Sequence, residues 1–304
     1  MNRLLHRVCP YQFENAQGFF KRVANANYFS NAQDLLKFIT KRSGKTIYLQ
    51  NVPAIAYFCL NSVAEISQLS NLQIARIEGN RIFQINGQLI SKIVFIDNAH
   101  AKICPSCLEK APYIRGSWTL TFYNCCPLHR IRLIDWCDKC QRTIKWDRRH
   151  LQSCSCGADL RRARTTPAQK SELILASLID GLNLHQCLPS YQIHTQAINH
   201  LGDLSLDGIC KTIWFLGHCI SQLGNYGSGH GTKIPSPDMT SLMIDNAFSF
   251  LNHWPNRLGE HLDLLAIRKP SDSTDSLINR LFGPAQYYAK EALQSCELAF
   301  LKTA

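Results

Sequence analysis

Cys104-Pro105-Ser106-Cys107, Cys125-Cys126-Pro127-Leu128-His129, Cys137-Asp138-Lys139-Cys140 and Cys154-Ser155-Cys156-Gly157 follow one another in a single segment, and their spacing decides how the chain is read. Cys104 and Cys107 form C-x2-C and Cys126 and His129 form C-x2-H, so each pair can grip one ion from a tight turn. Cys137 and Cys140 form a second C-x2-C, and Cys154 and Cys156 form C-x-C before a glycine. Two sets of four result. Thiolate and imidazole donors at these spacings suit tetrahedral Zn²⁺, and four protein ligands leave no position for a catalytic water. Two structural zinc ions are expected, each holding a small subdomain together. Sequential pairing gives Cys104, Cys107, Cys126 and His129 for one ion and Cys137, Cys140, Cys154 and Cys156 for the other; an interleaved cross-brace is the alternative. Cys125 is a spare neighbour of Cys126, and His150 reads as a solvated residue.

Outward from this segment, the composition describes a folded chain. Of 304 residues, 45% are hydrophobic, more than a disordered chain carries. The formal net charge is +11, from 33 Lys and Arg against 22 Asp and Glu, which favours an anionic partner such as nucleic acid. The start of the chain has no apolar run of signal-peptide length, and no stretch approaches the ~20 apolar residues of a membrane span. A cytoplasmic protein with no membrane partner is expected, and in that compartment fourteen cysteines point to metal and core packing rather than disulfides. The isolated cysteines at positions 9, 59, 187, 210, 219 and 296 read as small buried hydrophobes.

Before the metal segment, Phe13, Phe20 and Val23 are spaced to share a helix face, and Ser30 is placed to cap a helix carrying Leu35, Leu36 and Ile39. Ser62 and Glu65 are spaced as a capping box. Asn86-Gly87, preceded by Ile82, Phe83 and Ile85 and followed by Leu89, Ile90, Ile93, Val94 and Phe95, is a strong hairpin signal. After the metal segment, Leu206, Ile209, Ile213, Leu216, Ile220 and Leu223 share a helix face. The glycine-rich run 224–231 reads as a loop, and further helices are expected around 239–253, 255–267 and 284–302. The expected fold is mainly α with small zinc-ribbon and hairpin β elements, organised as an N-terminal domain (1–100), a double zinc-binding module (101–166) and a C-terminal helical domain (167–304).

A basic excess lies around the second ligand set. Arg130, Arg132, Lys139, Arg142, Lys145, Arg148, Arg149, Arg161, Arg162 and Arg164 face only Asp135, Asp138, Asp147 and Asp159. On a metal-pinned support, Arg130, Arg132, Lys145, Arg148, Arg149, Arg161, Arg162 and Arg164 are candidate phosphate ligands. Trp136 and Trp146 are expected in the core. No enzyme motif competes with this reading. Ser43-Gly44-Lys45-Thr46 resembles the end of a phosphate loop, but Ile39 stands where that loop needs glycine.

These residues together resemble the TniQ/TnsD family of transposition proteins. The likeness rests on PYQFENAQGFFKRVA, where Glu14 precedes a helix ending in Arg22, then on KICPSCL, Trp118, the C-x2-H pair, Leu133, C-x2-C and C-x-C-G. It covers about residues 8–160. A departure is Ala16-Gln17-Gly18, where relatives often carry serine, and Gly18 is expected to weaken the helix. The resemblance implies a helix-turn-helix-like N-terminal domain, a zinc-finger module and a non-catalytic role in choosing the target of a transposon. It implies as partners the AAA+ ATPase TnsC, target DNA and, in CRISPR-associated members, a Cascade effector carrying guide RNA, with a second copy of the chain as a further candidate. Direct reading of a DNA attachment site is the alternative within the family, and a zinc scaffold unrelated to transposition is the alternative outside it.

Overall fold

The computed structural model describes residues 3–41, 47–77, 80–98, 100–146, 148, 150–184, 196–221 and 234–254. The chain divides into two compact units, Met1–Ala168 and Gln169–Ala304. Segments 1–100 and 101–166, expected as separate domains, therefore lie in one unit.

The first unit opens with helices α1 (Ala16–Ala26), α2 (Ala32–Thr40), α3 (Val52–Cys59) and α4 (Val63–Ser67). Asn15 caps α1 by accepting from the Gly18 amide, and the apolar face of α1 buries Phe19, Phe20, Val23 and Ala24. Phe13 does not join that face. It precedes the helix with φ 54° and is partly exposed, because the chain turns there to present the Glu14 carboxylate to α1. The cap of α2 is Asn31, not Ser30, and its side chain accepts from the Gln33 and Asp34 amides. The capping box at the start of α4 forms as spaced: Ser62 Oγ accepts from the Glu65 amide and Glu65 accepts from the Ser62 amide. Leu35, Leu36, Ile39, Ile47, Ile55, Phe58, Ile66 and Leu72 complete the core between these helices.

The hairpin also forms, inside a three-stranded antiparallel sheet. Strands β1 (Leu72–Ile77), β2 (Asn80–Ile85) and β3 (Gln88–Ile90) pair in chain order. Asn86 and Gly87 both take positive φ, 50° and 79°, the backbone that a tight two-residue hairpin turn requires. The strand after the turn is shorter than its apolar run suggested. Ile93–Phe95 forms a single 3₁₀ turn that drops Val94 and Phe95 into the core and delivers the chain toward Cys104 and the short helix α5 (Pro105–Lys110).

Helix α1 and the metal segment meet at close quarters. The Asn15 amide donates to Ile114 O at 2.8 Å and the Gly116 amide to Phe13 O at 2.8 Å. A side chain at Gly18 would meet Ile114 Cβ at 3.2 Å, so the residue expected to weaken α1 is what lets the helix approach this loop. At Gly116 an added Cβ would collide with Ser70 Cβ at 2.1 Å. Both glycines are places where the helical and metal-binding halves of the unit touch.

The second unit contains α6 (Lys170–Ile179), α7 (Gln196–Gly202), α8 (Leu206–Ser221) and α9 (Pro237–Leu251). Leu206, Ile209, Ile213 and Leu216 are buried on one face of α8, as their spacing required. Phe250 is in the core of this unit. The expected glycine-rich loop, the helices around 255–267 and 284–302, Leu223 and the SGKT segment lie outside the described residues. No described helix is long and apolar enough to cross a membrane.

Candidate metal centres

The first centre is assembled from two turns. Cys104 caps α5, and Pro105 at its first position starts the turn that brings Cys107 back beside Cys104. Cys126 ends the two-residue strand β4 (Cys125–Cys126), which pairs with β5 (Ile131–Arg132); His129 lies in the intervening turn. Arg130, the last residue of that turn, takes φ 57° and closes it. The His129 Nδ1 atom stands 3.4 Å from Cys104 Sγ, 3.3 Å from Cys107 Sγ and 3.4 Å from Cys126 Sγ, and Cys107 and Cys126 sulfurs are 3.6 Å apart. The edges of a tetrahedron around one ion with metal–sulfur bonds of about 2.3 Å are about 3.8 Å between sulfurs and slightly less to nitrogen. The cluster has these dimensions.

The second centre repeats the plan on hairpin β6 (Trp136–Cys137) and β7 (Arg142–Thr143), whose tip carries Cys140. Gln141 turns this tip with φ 53°. Cys154 and Cys156 come from a turn in which the Gly157 amide donates to Cys154 O, with Gly157 at φ 85°. Cys137 Sγ is 3.7 Å from Cys156 Sγ, and Cys140 Sγ is 3.7 Å from Cys154 Sγ. In each set all four donor atoms lie within 4.8 Å of one another. Ligands are thus grouped sequentially, and an interleaved cross-brace is not formed. Cys125 is buried outside the first set.

Their donors are crowded enough to perturb one another strongly. The Cys104 thiol is pushed far up, first by hydrogen bonding with Cys107 and Cys126, while Cys107 is held down to about 3 by those same neighbours. In the second centre the backbone amide of Ala158 lowers Cys156 to about 7, whereas desolvation raises Cys154 to about 12. A cation shared by sulfurs this close would offset the repulsion between their thiolates, their protons being released to solvent as it binds. The donor chemistry and the separations therefore fit a four-coordinate, thiolate-binding metal at both sites. Outside these sites the isolated thiols differ: burial raises Cys59 to about 12 and Cys210 is buried, but Cys9 is exposed and does not pack as expected. Cys187, Cys296 and the side chain of Cys219 lie outside the described residues.

Of the candidate phosphate ligands, Arg130, Lys145, Arg161, Arg162 and Arg164 are exposed and Arg132 is half-buried on β5. Arg161 is bound to both Asp159 oxygens, so part of its charge is met within the chain. Arg148 departs from the expectation. It is 2% exposed; its guanidinium donates to Lys145 O at 2.8 Å and to Leu151 O at 3.2 Å, and its own carbonyl accepts from the Lys21 ammonium of α1. These bonds consume the fork that a phosphate would need, so Arg148 is a structural tie of the second centre. Arg149 lies outside the described residues. The tryptophans also divide: Trp146 is buried, whereas Trp136 is 44% exposed, contrary to the expectation for it.

One further cluster, Glu14 with Arg22, joins the start of the chain to the first centre. Glu14 is fully buried, receives Arg22 Nε at 2.8 Å and Nη2 at 2.6 Å, and accepts from the Tyr11 amide at 3.0 Å. The Arg22 guanidinium also lies 4.6 Å from the Tyr11 ring centre, and Tyr11 stacks on Tyr113 at 4.3 Å. A family model described as TniQ matches residues 5–133, the span from this cluster through the complete first metal centre to Leu133. This stretch of the chain is similar to a TniQ domain. A comparison with curated proteins found no match. The matched residues hold the Glu14–Arg22 pair and the first centre; the second centre and the helical unit lie beyond them.

Proposed function

We propose that this chain is a non-catalytic adaptor that connects a guide-RNA-loaded Cascade effector at the target DNA to the AAA+ ATPase TnsC, and through it to the transposase. Zn²⁺ is the ion assigned to both centres, because it takes thiolate and imidazole tetrahedrally without redox chemistry. Four protein ligands at each centre leave no coordination position for substrate, so the metal shapes surfaces rather than reacting. Cys104, Cys107, Cys126 and His129 then fix the loop that α1 packs on, and Cys137, Cys140, Cys154 and Cys156 fix the hairpin that displays Lys139, Arg142 and Lys145.

The observation that carries this reading is the TniQ match over residues 5–133. The choice of a guided adaptor over a direct DNA reader is supported by the helical unit. Its described helices α8 and α9 spend their apolar faces on their own core, and among the described residues Lys139, Arg142, Lys145, Arg161, Arg162 and Arg164 are exposed around the second metal centre. A unique DNA site needs many base contacts at about 1–3 kcal/mol each, whereas backbone contacts from one basic module supply affinity without sequence. The helix-turn-helix-like character expected for α1–α4 belongs to this proposal as a protein-docking framework. Titration of the purified chain with a panel of random duplexes and duplexes taken from the DNA flanking the transposon's insertion site, at physiological salt, tests the choice. The adaptor reading expects affinities within about tenfold of one another; a duplex held about 1,000-fold above random sequence would establish direct readout instead.

A further inference from the structure

Trp136 occupies a position that a core residue would not. It begins β6, pairs across the hairpin with Thr143, and is 44% exposed although its strand neighbour Cys137 is buried at the second centre. Its indole Nε1 donates to Gln141 Oε1 at 3.0 Å, and Gln141 Nε2 donates in turn to Asp138 O at 2.7 Å. The polar edge of the ring is therefore satisfied within the hairpin and its orientation is fixed, which leaves the apolar ring as the group on offer. Side chains alternate along a strand, so Lys145, two residues beyond Thr143, comes to the same side of the ladder as Trp136. Lys145, Lys139 and Arg142 are all exposed.

An aromatic ring held in one orientation beside flexible cations is the arrangement that binds unpaired nucleic acid: the ring stacks on a base, and the cations follow the phosphates on either side. A duplex keeps its bases stacked on each other and offers no face to such a ring. We infer that Trp136 is a stacking platform for one unpaired nucleobase of a single strand, with Lys139 in the hairpin turn and Lys145 meeting the adjoining phosphates. The inference rests on the basic module being a nucleic-acid surface, as proposed above, and adds what kind of nucleic acid it takes. The ring needs no particular base, because every base has a face to stack. An unwound target strand and a guide RNA share this chemistry.

The test compares two probes with the same number of phosphates, a short fluorescein-labelled oligothymidylate and its fully abasic counterpart, titrated against the full chain at low salt. Stacking predicts that the oligothymidylate binds about 10-fold or more tightly than the abasic strand. Trp136→Ala removes this preference while leaving abasic binding and metal content unchanged, and Trp136→Phe retains most of it. Equal affinity of the wild-type chain for both probes overturns the inference but leaves the basic surface standing, with Trp136 then a protein-docking side chain. Binding of neither probe overturns both. An oligoribouridylate run in parallel assigns the source of the strand, DNA or RNA.

Discussion

Arg22 closes on Glu14 with two parallel hydrogen bonds, of 2.8 and 2.6 Å, and Glu14 has no exposure to solvent. This pair gives physical content to the spacing of an acidic residue just before α1 and an arginine two turns into it. The carboxylate also takes the Tyr11 amide, and the Glu14 carbonyl accepts from the Ser70 amide, so the pair sets the path by which the chain enters α1.

Burial raises the Glu14 carboxyl above its ordinary value of 4.5, and Arg22 pulls it back only in part. For an acid raised in the folded state, the fold holds more protons than the unfolded chain between the two values. Its contribution is complete below the unfolded value and is lost as pH rises through the folded value. Arg22→Gln leaves the carboxylate without its cation. It should cost about 3–5 kcal/mol near neutral pH, extend the loss to higher pH, and be partly repaired by adding Glu14→Gln. Denaturant unfolding of the three variants across pH 4–8 measures this. An Arg22→Gln chain as stable as wild type would show that the pair contributes only geometry.

Metal content should be two zinc ions per chain in protein purified without added metal. Cys107→Ala should remove one and destabilise the first unit as a whole, since α1 packs on the loop that this ion fixes; Cys137→Ala should remove the other. Elemental analysis with thermal unfolding reads both. Folded protein with no bound metal would contradict the assignment.

Nucleic-acid affinity should fall with salt, and the exposed cations should set the slope. Replacing Lys145 and Arg162 with Ala should reduce the slope of log K against log salt by about 0.7 on a single strand, or about 0.9 on a duplex, for each phosphate that the variant no longer neutralises. Arg148→Ala should act differently. It removes the buried ties to Lys145 O and Leu151 O, so it should lower thermal stability, with any loss of binding following from misfolding of the second centre. An Arg148→Ala chain of normal stability but reduced slope would return Arg148 to the interface.

Features that depend on a few consecutive residues are legible in local spacing. C-x2-C, C-x2-H and C-x-C-G bring their donors together through single turns, and Ser62–Glu65 and Asn86–Gly87 act within one turn, so neighbours alone determine them. What the sequence did not reveal depended on residues outside such a motif, most of them far away along the chain. Arg148 looks like any cation of a basic run until the Lys21 ammonium reaches its carbonyl from α1. Trp136 looks like a core residue until the hairpin turns its ring outward and Gln141 satisfies its Nε1. Gly18 looks like a flaw in α1 until Ile114 is seen against it. A boundary near residue 100 follows from the change of pattern there, but the bonds from Asn15 and Gly116 across it join both sides in one unit.

The proposed role of this chain is to bridge two partners. Its most direct test is light scattering on a size-exclusion column with the purified chain, TnsC and guide-loaded Cascade on target DNA. The predicted result is one assembly containing all three proteins, which separates into Cascade and TnsC when this chain is left out. Cascade and TnsC eluting apart in its presence, with the chain bound to neither, would contradict it.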